Sequence, residues 1–516
     1  MTTRLLAEIL LFLIAVPRLR SQSEQIAKLH GTVRYEKILT DSGKLDIDHP
    51  LLVPAAGVTV EIVEVVPIGD DRVLASDTTD NNGNFSVRVP LQGTINIKIR
   101  ALAENGNAQV VDVDSGKEYA VATDDFTVKP QDDVERNVTA TDHASDHDRG
   151  SGPFNIVAVI SKANAFLHIV APGLVIPPVV IRWSTTYDGD TYFDATTNPP
   201  QAFINGVREE DSDEFDDSVI IHEYGHFIAA KFSRDDSPGG AHSLGEKKDP
   251  RLAWSEGWAN FFSSSVRNDP KYVDTLDVNG MRSFSFSLNV DVWRNESPGF
   301  WSEHTVGSSL WGIFAKPAVS GPQAHLGFGF EPIWRLLSGP IRSERYVNLL
   351  EFADDFCSRP AKDCAKLIPV LANHDILYKP GQKPPVSNPY PRPLQIGLPQ
   401  TGVLDSSSRQ VNKLEAQDVY SFSESENSNV KITLTVTSSP TPAHSSMGIY
   451  LFDDSGSQLG SSISKGVNQS AEIQTLVQKG KYFVEVRSWA SSAGSQFNRG
   501  QYKIVLAATT ANGVTH

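Results

Sequence analysis

Three residues near the middle of the chain combine the types and spacing that hydrolytic chemistry requires. His222, Glu223 and His226 form an H-E-x-x-H pattern within the largely apolar stretch 218–232. On a helix, positions 222 and 226 are one turn apart, so both imidazoles project from one face and can share a tetrahedral metal ion. Zn²⁺ suits such ligands and lowers the pKa of a bound water to about 7, leaving Glu223 to act as general base. The pattern predicts a catalytic zinc site.

A catalytic zinc site needs a third protein ligand, and Glu256 is the best candidate. It lies in the stretch 253–263, where four aromatic residues recur at helical spacing. A carboxylate among those aromatic rings requires a cation. Gly257 leaves room for two helices to approach closely, and Asn260, one turn beyond Glu256, is placed to orient a ligand histidine. The predicted metal ligands are therefore His222, His226 and Glu256.

Two further histidines are weaker candidates. His242, in the turn-rich segment 238–243, is the alternative third ligand, although a histidine that is exposed or contacts substrate is favoured there. An oxyanion formed during hydrolysis needs a hydrogen-bond donor besides the metal, and His304 on a predicted helix is a candidate. The competing interpretation of His304 is a structural histidine, which is more common on a partly apolar helix.

An acidic cluster precedes the predicted metal-binding helix. Seven of the ten residues 209–218 are acidic, and negative charge stabilises a helix N-terminus through its dipole. The alternative is Ca²⁺ binding, because carboxylates are hard oxygen ligands, but the spacing matches no defined calcium loop. We favour a solvated, dipole-stabilising cluster. The seven residues are Glu209, Glu210, Asp211, Asp213, Glu214, Asp216 and Asp217.

Length and charge restrict the class of protein. A chain of 516 residues is too long for one core, and three domains are the natural expectation. The formal net charge is −16 with no long basic run, which gives no electrostatic basis for binding nucleic acid or an anionic membrane. Two cysteines, Cys357 and Cys364, could close a short disulfide loop in an exported chain, or remain buried thiols.

The N-terminus is typical of export. Residues 1–23 contain Arg4 and an apolar stretch, 5–16, that is too short to span a bilayer, which predicts a signal peptide. The apolar stretch 154–181 is broken by Lys162, His168 and prolines, so we predict two strands and a turn, with a helix as the competing interpretation of residues 154–170. No transmembrane helix is predicted.

Short alternating strands flank the central block on both sides. They predict β-sandwiches at residues 24–140 and 403–508, joined to the block 154–380 by linkers at 141–153 and 381–402. The second linker is rich in proline. The strand at 202–205 is expected to be an edge strand near the active cleft. Strands at 109–113 and 125–129 are assigned to the first sandwich, with the central block as the alternative.

Three resemblances add to this interpretation. The H-E-x-x-H helix and the Glu256 helix resemble a gluzincin zinc metallopeptidase, although Ser255-Glu-Gly-Trp-Ala259 departs from the thermolysin-like pattern. Gly57-Val-Thr-Val60 and Thr79–Ser86 resemble a transthyretin-like, carboxypeptidase regulatory-like domain over roughly residues 28–100. The strand order of the tail resembles a bacterial pre-peptidase C-terminal domain. The resemblances imply a transthyretin-like β-sandwich, an α+β zincin catalytic domain and a jelly-roll-like β-sandwich.

The sequence therefore predicts a secreted, zinc-dependent metallopeptidase that hydrolyses protein or peptide substrates, with Glu223 as base and one Zn²⁺ ion. The β-sandwiches are candidates for contact with a cell surface or polysaccharide. One alternative is a secreted binding protein with a structural or vestigial zinc site. Another is a zinc hydrolase of non-peptide amides or esters, because the site chemistry would be the same.

Overall fold

The computed structural model describes most of the chain between residues 25 and 510. The predicted signal peptide, 1–23, lies outside the described residues, as do Glu209, Glu210 and most of the two predicted linkers. The omitted positions within 25–510 are 42–43, 68, 70, 143–149, 209–210, 279–280, 293, 296, 318–324, 344, 381–390, 406–411, 415, 441–444 and 489–498.

The chain forms two compact units that agree in part with the predicted domains. The first comprises the described residues up to Arg34 together with Pro54–Leu102 and Ala120–Thr139. The second comprises Tyr35–Val53, Ala103–Tyr119 and the described residues from Ala140 onward. The last change between the units falls between Thr139 and Ala140, at the predicted boundary, but two segments before it belong to the second unit. In the second of these segments, residues 108–112 pair with the later strand at 179–183.

Most strands before residue 141 form two five-stranded sheets. In one sheet β12, β13, β4 and β7 pair with β1, and the other has the order β10-β8-β5-β6 with β11 paired to β8. In β7, buried and exposed residues alternate along the strand, as expected when one sheet face is covered. The strands are β1 (Gln25–Lys37), β2 (Thr40–Asp41), β3 (Lys44–Leu45), β4 (Leu51–Pro54), β5 (Thr59–Glu64), β6 (Arg72–Thr78), β7 (Asn84–Leu91), β8 (Ile95–Leu102), β9 (Ala108–Asp112), β10 (Ala120–Ala122), β11 (Phe126–Val128), β12 (Asp133–Glu135) and β13 (Val138–Ala140).

The middle region combines helices with small sheets. The helices are α1 (Ser151–Val170), α2 (Asp217–Phe232), α3 (Pro250–Arg267), α4 (Glu303–Phe314), α5 (Glu331–Leu337), α6 (Pro340–Ser343), α7 (Leu349–Cys357) and α8 (Ala361–Ala372). The strands are β14 (Val179–Trp183), β15 (Tyr192–Asp194), β16 (Gln201–Ile204), β17 (Gly206–Val207), β18 (Asp211–Ser212), β19 (Lys271–Val278) and β20 (Met281–Asn289).

Helix α1 confirms the helical alternative for residues 154–170 and corrects the prediction of two strands and a turn. Lys162, Ala165, His168 and Ile169 are exposed while the residues between them are largely buried, a spacing that belongs to a helix and not to a strand. The polar residues that interrupt the apolar run therefore form its solvent face. Among the described helices, α1 has the length and composition to cross a membrane, but 56% of its most apolar window is buried within the protein.

A four-stranded sheet forms one wall of the middle region. Its order is β15-β16-β14-β9, with β14 parallel to both β16 and β9. Strand β9 contains most of the segment 109–113, so the alternative assignment of that segment to the central block is correct. Residues 202–205 do not form an edge strand as predicted, because β16 pairs on both sides. On that side the sheet ends with β15.

Two glycines allow three helices to pack closely. A Cβ atom at Gly225 of α2 would lie 3.2 Å from the Cα atom of Ala259 on α3. A Cβ atom at Gly257 of α3 would lie 2.4 Å from the Cβ atom of Val306 on α4. Helix α3 is therefore held between α2 and α4. Cys357 and Cys364 form a disulfide between α7 and α8, so the alternative of two free thiols is wrong.

The tail is a β-sandwich of two sheets with a continuous apolar core. The sheet orders are β21-β23-β28-β25-β26 and β22-β29-β24-β27. The sandwich begins inside the predicted linker 381–402, because β21 pairs with β23. The strands are β21 (Arg392–Pro393), β22 (Gln400–Asp405), β23 (Gln417–Glu424), β24 (Ser428–Ser438), β25 (Met447–Asp453), β26 (Gln458–Ser464), β27 (Ser470–Val477), β28 (Gly480–Ser488) and β29 (Arg499–Thr510).

Candidate active site

Helix α2 brings His222 and His226 together. Its sequence has an acidic residue in the first turn and Lys231 in the last, which matches the helix dipole. One helical turn separates the two histidines, and their Nε2 atoms lie 3.1 Å apart. Both rings therefore point at the same place from one face of the helix, as the spacing predicts.

Helix α3 places Glu256 against both histidines. The helix begins after Asp249, whose side chain accepts a hydrogen bond from the backbone N–H of Arg251, with Pro250 in the first turn. Oε2 of Glu256 lies 3.2 Å from Nε2 of His222 and 3.5 Å from Nε2 of His226. The two helices thus bring three potential ligand atoms to one point.

These three atoms fit the ligand geometry of zinc. A tetrahedron with bonds of about 2.0–2.1 Å has edges of about 3.3 Å, and the three interatomic distances are 3.1, 3.2 and 3.5 Å. The donor set of two imidazole nitrogens and one carboxylate oxygen is the one zinc uses in hydrolytic sites. The residues present therefore fit a catalytic zinc ion.

Neighbouring side chains hold both imidazoles in place. Nδ1 of His222 lies 3.0 Å from Oδ1 of Asn260. An amide oxygen only accepts, so this Nδ1 carries the hydrogen and Nε2 presents its lone pair to the metal position. Nδ1 of His226 lies 3.2 Å from Oγ of Ser255, which in turn donates to Asp235 at 2.7 Å. Asn260 thus lies where the sequence predicts a residue that orients a ligand histidine.

Charge in the cluster favours a cation. Burial alone would raise the pKa of Glu256, but the adjacent histidines hold that pKa well below its usual value. Burial lowers the pKa of His226, but attraction to the Glu256 carboxylate has the larger effect, and the resulting pKa is about 9. The cluster therefore carries a carboxylate at neutral pH, with protons and a metal ion competing for the same nitrogen atoms.

Glu223 lies beside the ligands without being one of the three. Its side chain is buried, and burial raises its pKa, with the two histidines opposing the effect. A carboxylate whose pKa is moved toward neutrality can both take up and release a proton at physiological pH. The environment of Glu223 is therefore suitable for a general base.

The three ligand candidates and Glu223 line an open cleft of about 1500 Å³. His242, Glu303 and Tyr272 also line this cleft. Nε2 of His242 lies 3.4 Å from Oε2 of Glu256 and 3.6 Å from Oε2 of Glu303. Sequence reasoning missed Glu303, although the neighbouring His304 was a candidate, because only the packing of α4 decides which of the two faces the cleft.

His304 does not line this cleft. Its Nε2 atom lies 2.8 Å from the backbone oxygen of Asn289 at the end of β20. The structure therefore places His304 as a histidine that joins α4 to a strand. His242 occupies the cleft wall instead, as the histidine in the turn-rich loop.

Comparisons with known families match two parts of the chain. Residues 176–325 match the Mycolysin C-terminal domain, and this range contains α2, α3 and α4 with all the candidate site residues. Residues 416–488 match the bacterial pre-peptidase C-terminal domain. No protein of the curated set matches the chain.

Two solved structures resemble parts of the chain. The pre-peptidase C-terminal domain of a collagenase from Bacillus anthracis is 15% identical, with coverage of 22% of this chain and 92% of that chain and a TM-score of 0.17. PliG, a periplasmic inhibitor of g-type lysozyme from Aeromonas hydrophila, is 12% identical, with coverage of 23% and 95% and a TM-score of 0.17. The family matches give this chain the domain composition of a secreted, peptidase-associated protein with a C-terminal β-sandwich.

Proposed function

We propose that this chain is a secreted, zinc-dependent metallopeptidase whose middle region is a zincin-like catalytic domain. One observation carries the proposal. His222, His226 and Glu256, from two packed helices, bring three ligand atoms within 3.5 Å of one another, and Glu223 lies beside them in an open cleft.

Each residue has a distinct part in peptide hydrolysis. When bound, Zn²⁺ would lower the pKa of a water molecule and polarise the carbonyl group of the substrate. The Glu223 carboxylate accepts a proton from the attacking water and delivers it to the leaving nitrogen. Asn260 and Ser255 keep the two imidazoles in the orientation that ligation requires.

The cleft supports a peptide as substrate. Small-ligand pockets have volumes of roughly 300–1,000 Å³, and this cleft is larger, at about 1500 Å³. A larger cleft accommodates residues on both sides of the reacting bond. Both matched families are associated with peptidases, which also favours protein or peptide substrates and secretion. The transthyretin-like identity of residues 28–100 stays a prediction.

The alternatives explain less of the site. A structural zinc ion is bound by four protein ligands, with no open position and no base. If the zinc site were structural, Glu223 and the cleft would have no role. A hydrolase of non-peptide amides or esters would use the same residues. The substrate therefore has to be determined by measurement.

The proposal is tested with the zinc content of the purified full-length protein and its cleavage of casein and a peptide library. Wild type should bind one catalytic zinc and cleave. Glu223→Gln should bind zinc without cleaving, because it keeps the shape and removes the base. The exposed Glu331→Gln should behave as wild type. Zinc without cleavage of any peptide by wild type would contradict the peptidase assignment, and absence of zinc would contradict the site.

A further inference from the structure

A second group of carboxylates lines the same cleft. Asp211 on β18, Asp213 in the turn before α2 and Asp274 on β19 each place a carboxylate oxygen within 4.8 Å of the other two. All three line the cleft that contains Glu223. The cluster corrects the expectation that the acidic stretch is solvated, since Asp213 is 2% exposed. Asp274 comes from a distant strand and was not part of the predicted cluster.

Some of these buried oxygen atoms have no donor among the described residues. Asp213 accepts a hydrogen bond from Thr191 at Oδ2, but its Oδ1 has no donor. Asp211 likewise has an Oδ1 without a donor. The neighbouring Asp216 is 1% exposed, and its Oδ2 accepts hydrogen bonds from the backbone N–H and hydroxyl of Thr275, whereas its Oδ1 has no donor. A buried ionised carboxylate without partners is strongly unfavourable unless a cation binds it.

The electrostatics of the cluster agree with this geometry. Burial, followed by repulsion from Asp274, raises the pKa of Asp211 to about 7. Burial raises the pKa of Asp213 well above its usual value, and the surrounding carboxylates add to the effect. Among the described residues, the charged neighbours that shift the pKa values of Asp211 and Asp213 are other carboxylates. A divalent cation would relieve both the burial and the repulsion.

We propose that Asp211, Asp213 and Asp274 bind a Ca²⁺ ion at a site separate from the zinc site. Oxygen atoms bonded to Ca²⁺ at 2.3–2.6 Å lie at most about 5 Å apart, so oxygens that are all within 4.8 Å of one another can share one ion. The site has only oxygen ligands, which favours Ca²⁺ over Zn²⁺. Mg²⁺ demands a tighter octahedral arrangement at about 2.0–2.1 Å.

The ion would connect two elements that shape the active-site cleft. Asp213 lies four residues before the start of α2, the helix of His222 and His226, whereas Asp274 lies on β19. Two residues before Asp274, the ring of Tyr272 lies 5.7 Å from the ring of His222. A cation held by both carboxylates therefore fixes the wall beside the metal-binding histidines. The inference concerns cation binding and does not depend on the proposed peptidase activity.

The test uses zinc-loaded, full-length Glu223→Gln protein, so that zinc occupies its own site and self-cleavage is absent. We expect calorimetric titration with CaCl₂ to give one Ca²⁺ per chain and the Tm to rise by a few degrees. Asp213→Asn or Asp274→Asn in the same background should weaken Ca²⁺ binding at least about tenfold. The exposed Asp188→Asn removes the same charge and should respond as the parent protein does.

A crossover in stability distinguishes loss of a ligand from loss of folding. Without Ca²⁺, Asp213→Asn should have a Tm equal to or above that of the parent, because the amide removes repulsion between buried carboxylates. With Ca²⁺, the parent should gain stability and the variant should not. An unchanged parent Tm and no heat of binding would overturn the proposal, as would variants that respond as fully as the parent. A response to MgCl₂ but not to CaCl₂ would overturn the choice of ion.

Discussion

Nη1 of Arg251, in the first turn of α3, lies 3.1 Å from Oε1 of Glu485 on β28 of the tail sandwich. Arg251 is 6% exposed and Glu485 is 1% exposed. The ring of Tyr346 lies 4.7 Å below the Arg251 guanidinium, and its hydroxyl donates to Glu485. The helix that supplies Glu256 is thus joined to the tail by a buried polar network.

A second set of contacts joins the tail to the loop of His242. Nδ2 of Asn412 donates to the backbone oxygens of Gly239 and Ala241, at 3.0 Å in each case. Lys413 forms an ion pair with Glu246. The position of His242 in the cleft therefore depends on residues more than 160 positions later in the chain.

Removing one of the two buried partners of Arg251 should destabilise the protein. Arg251 also pairs with the buried Asp249, so Glu485→Ala leaves the guanidinium with one of its two carboxylates, which costs about 1–3 kcal/mol of unfolding free energy. Glu472→Ala in the same sandwich removes an exposed pair with Lys431 and should cost less than about 1 kcal/mol. Urea unfolding of both variants measures the difference. Equal, small effects would show that the buried pair contributes little.

Loss of the Asn260 side chain should weaken zinc binding. Asn260→Ala removes the acceptor that fixes the Nδ1 hydrogen of His222, and changes of this kind reduce metal affinity about 10–100-fold. Asn260→Asp keeps an acceptor oxygen and should retain most of the affinity. Competition with a chelator of known zinc affinity provides the measurement. Wild-type affinity in Asn260→Ala would exclude the proposed orienting role.

The two candidate histidines should differ sharply on substitution. His242 lines the cleft, so His242→Ala should lower kcat about tenfold or more while zinc is retained, because a potential donor to the substrate carbonyl is lost. His304→Ala alters a residue outside the cleft and should leave kcat/KM close to wild type. Steady-state kinetics and zinc content of both variants provide the measurement. Loss of zinc in His242→Ala would instead support the alternative that His242 is a metal ligand.

Stability should fall in mild acid because of His374. Burial, aided by the nearby His304, lowers the pKa of His374 to about 4 in the folded protein, against about 6.5 when unfolded. The unfolded chain therefore binds the proton first as pH falls, and stability present above pH 6.5 is lost toward pH 4.

Between pH 7 and pH 5, protonation of His374 in the unfolded chain lowers the free energy of unfolding by about 2 kcal/mol. Urea unfolding at the two pH values should show a smaller loss for His374→Asn than for wild type. His168→Asn, at an exposed position, should show the wild-type loss. A His374→Asn variant with the full wild-type loss would rule out this source of acid sensitivity.

The sequence alone determined the local parts of the site. The spacing of His222 and His226 was enough to place both rings on one helical face, because a helix repeats every 3.6 residues. The aromatic periodicity around Glu256 likewise identified its helix and the position of Asn260. Alternating strands were sufficient to identify the tail sandwich, since the strand repeat is two.

Only the tertiary structure decided which distant residues meet. His242, Glu303 and Asp274 reach the cleft through a loop, α4 and β19, and no local pattern marks a side chain that will face a partner elsewhere in the chain. The helical state of α1, the inner position of β16 and the attachment of the tail through Glu485 depend in the same way on burial against other elements. Periodicity specifies which residues share a face, whereas long-range packing specifies what that face meets.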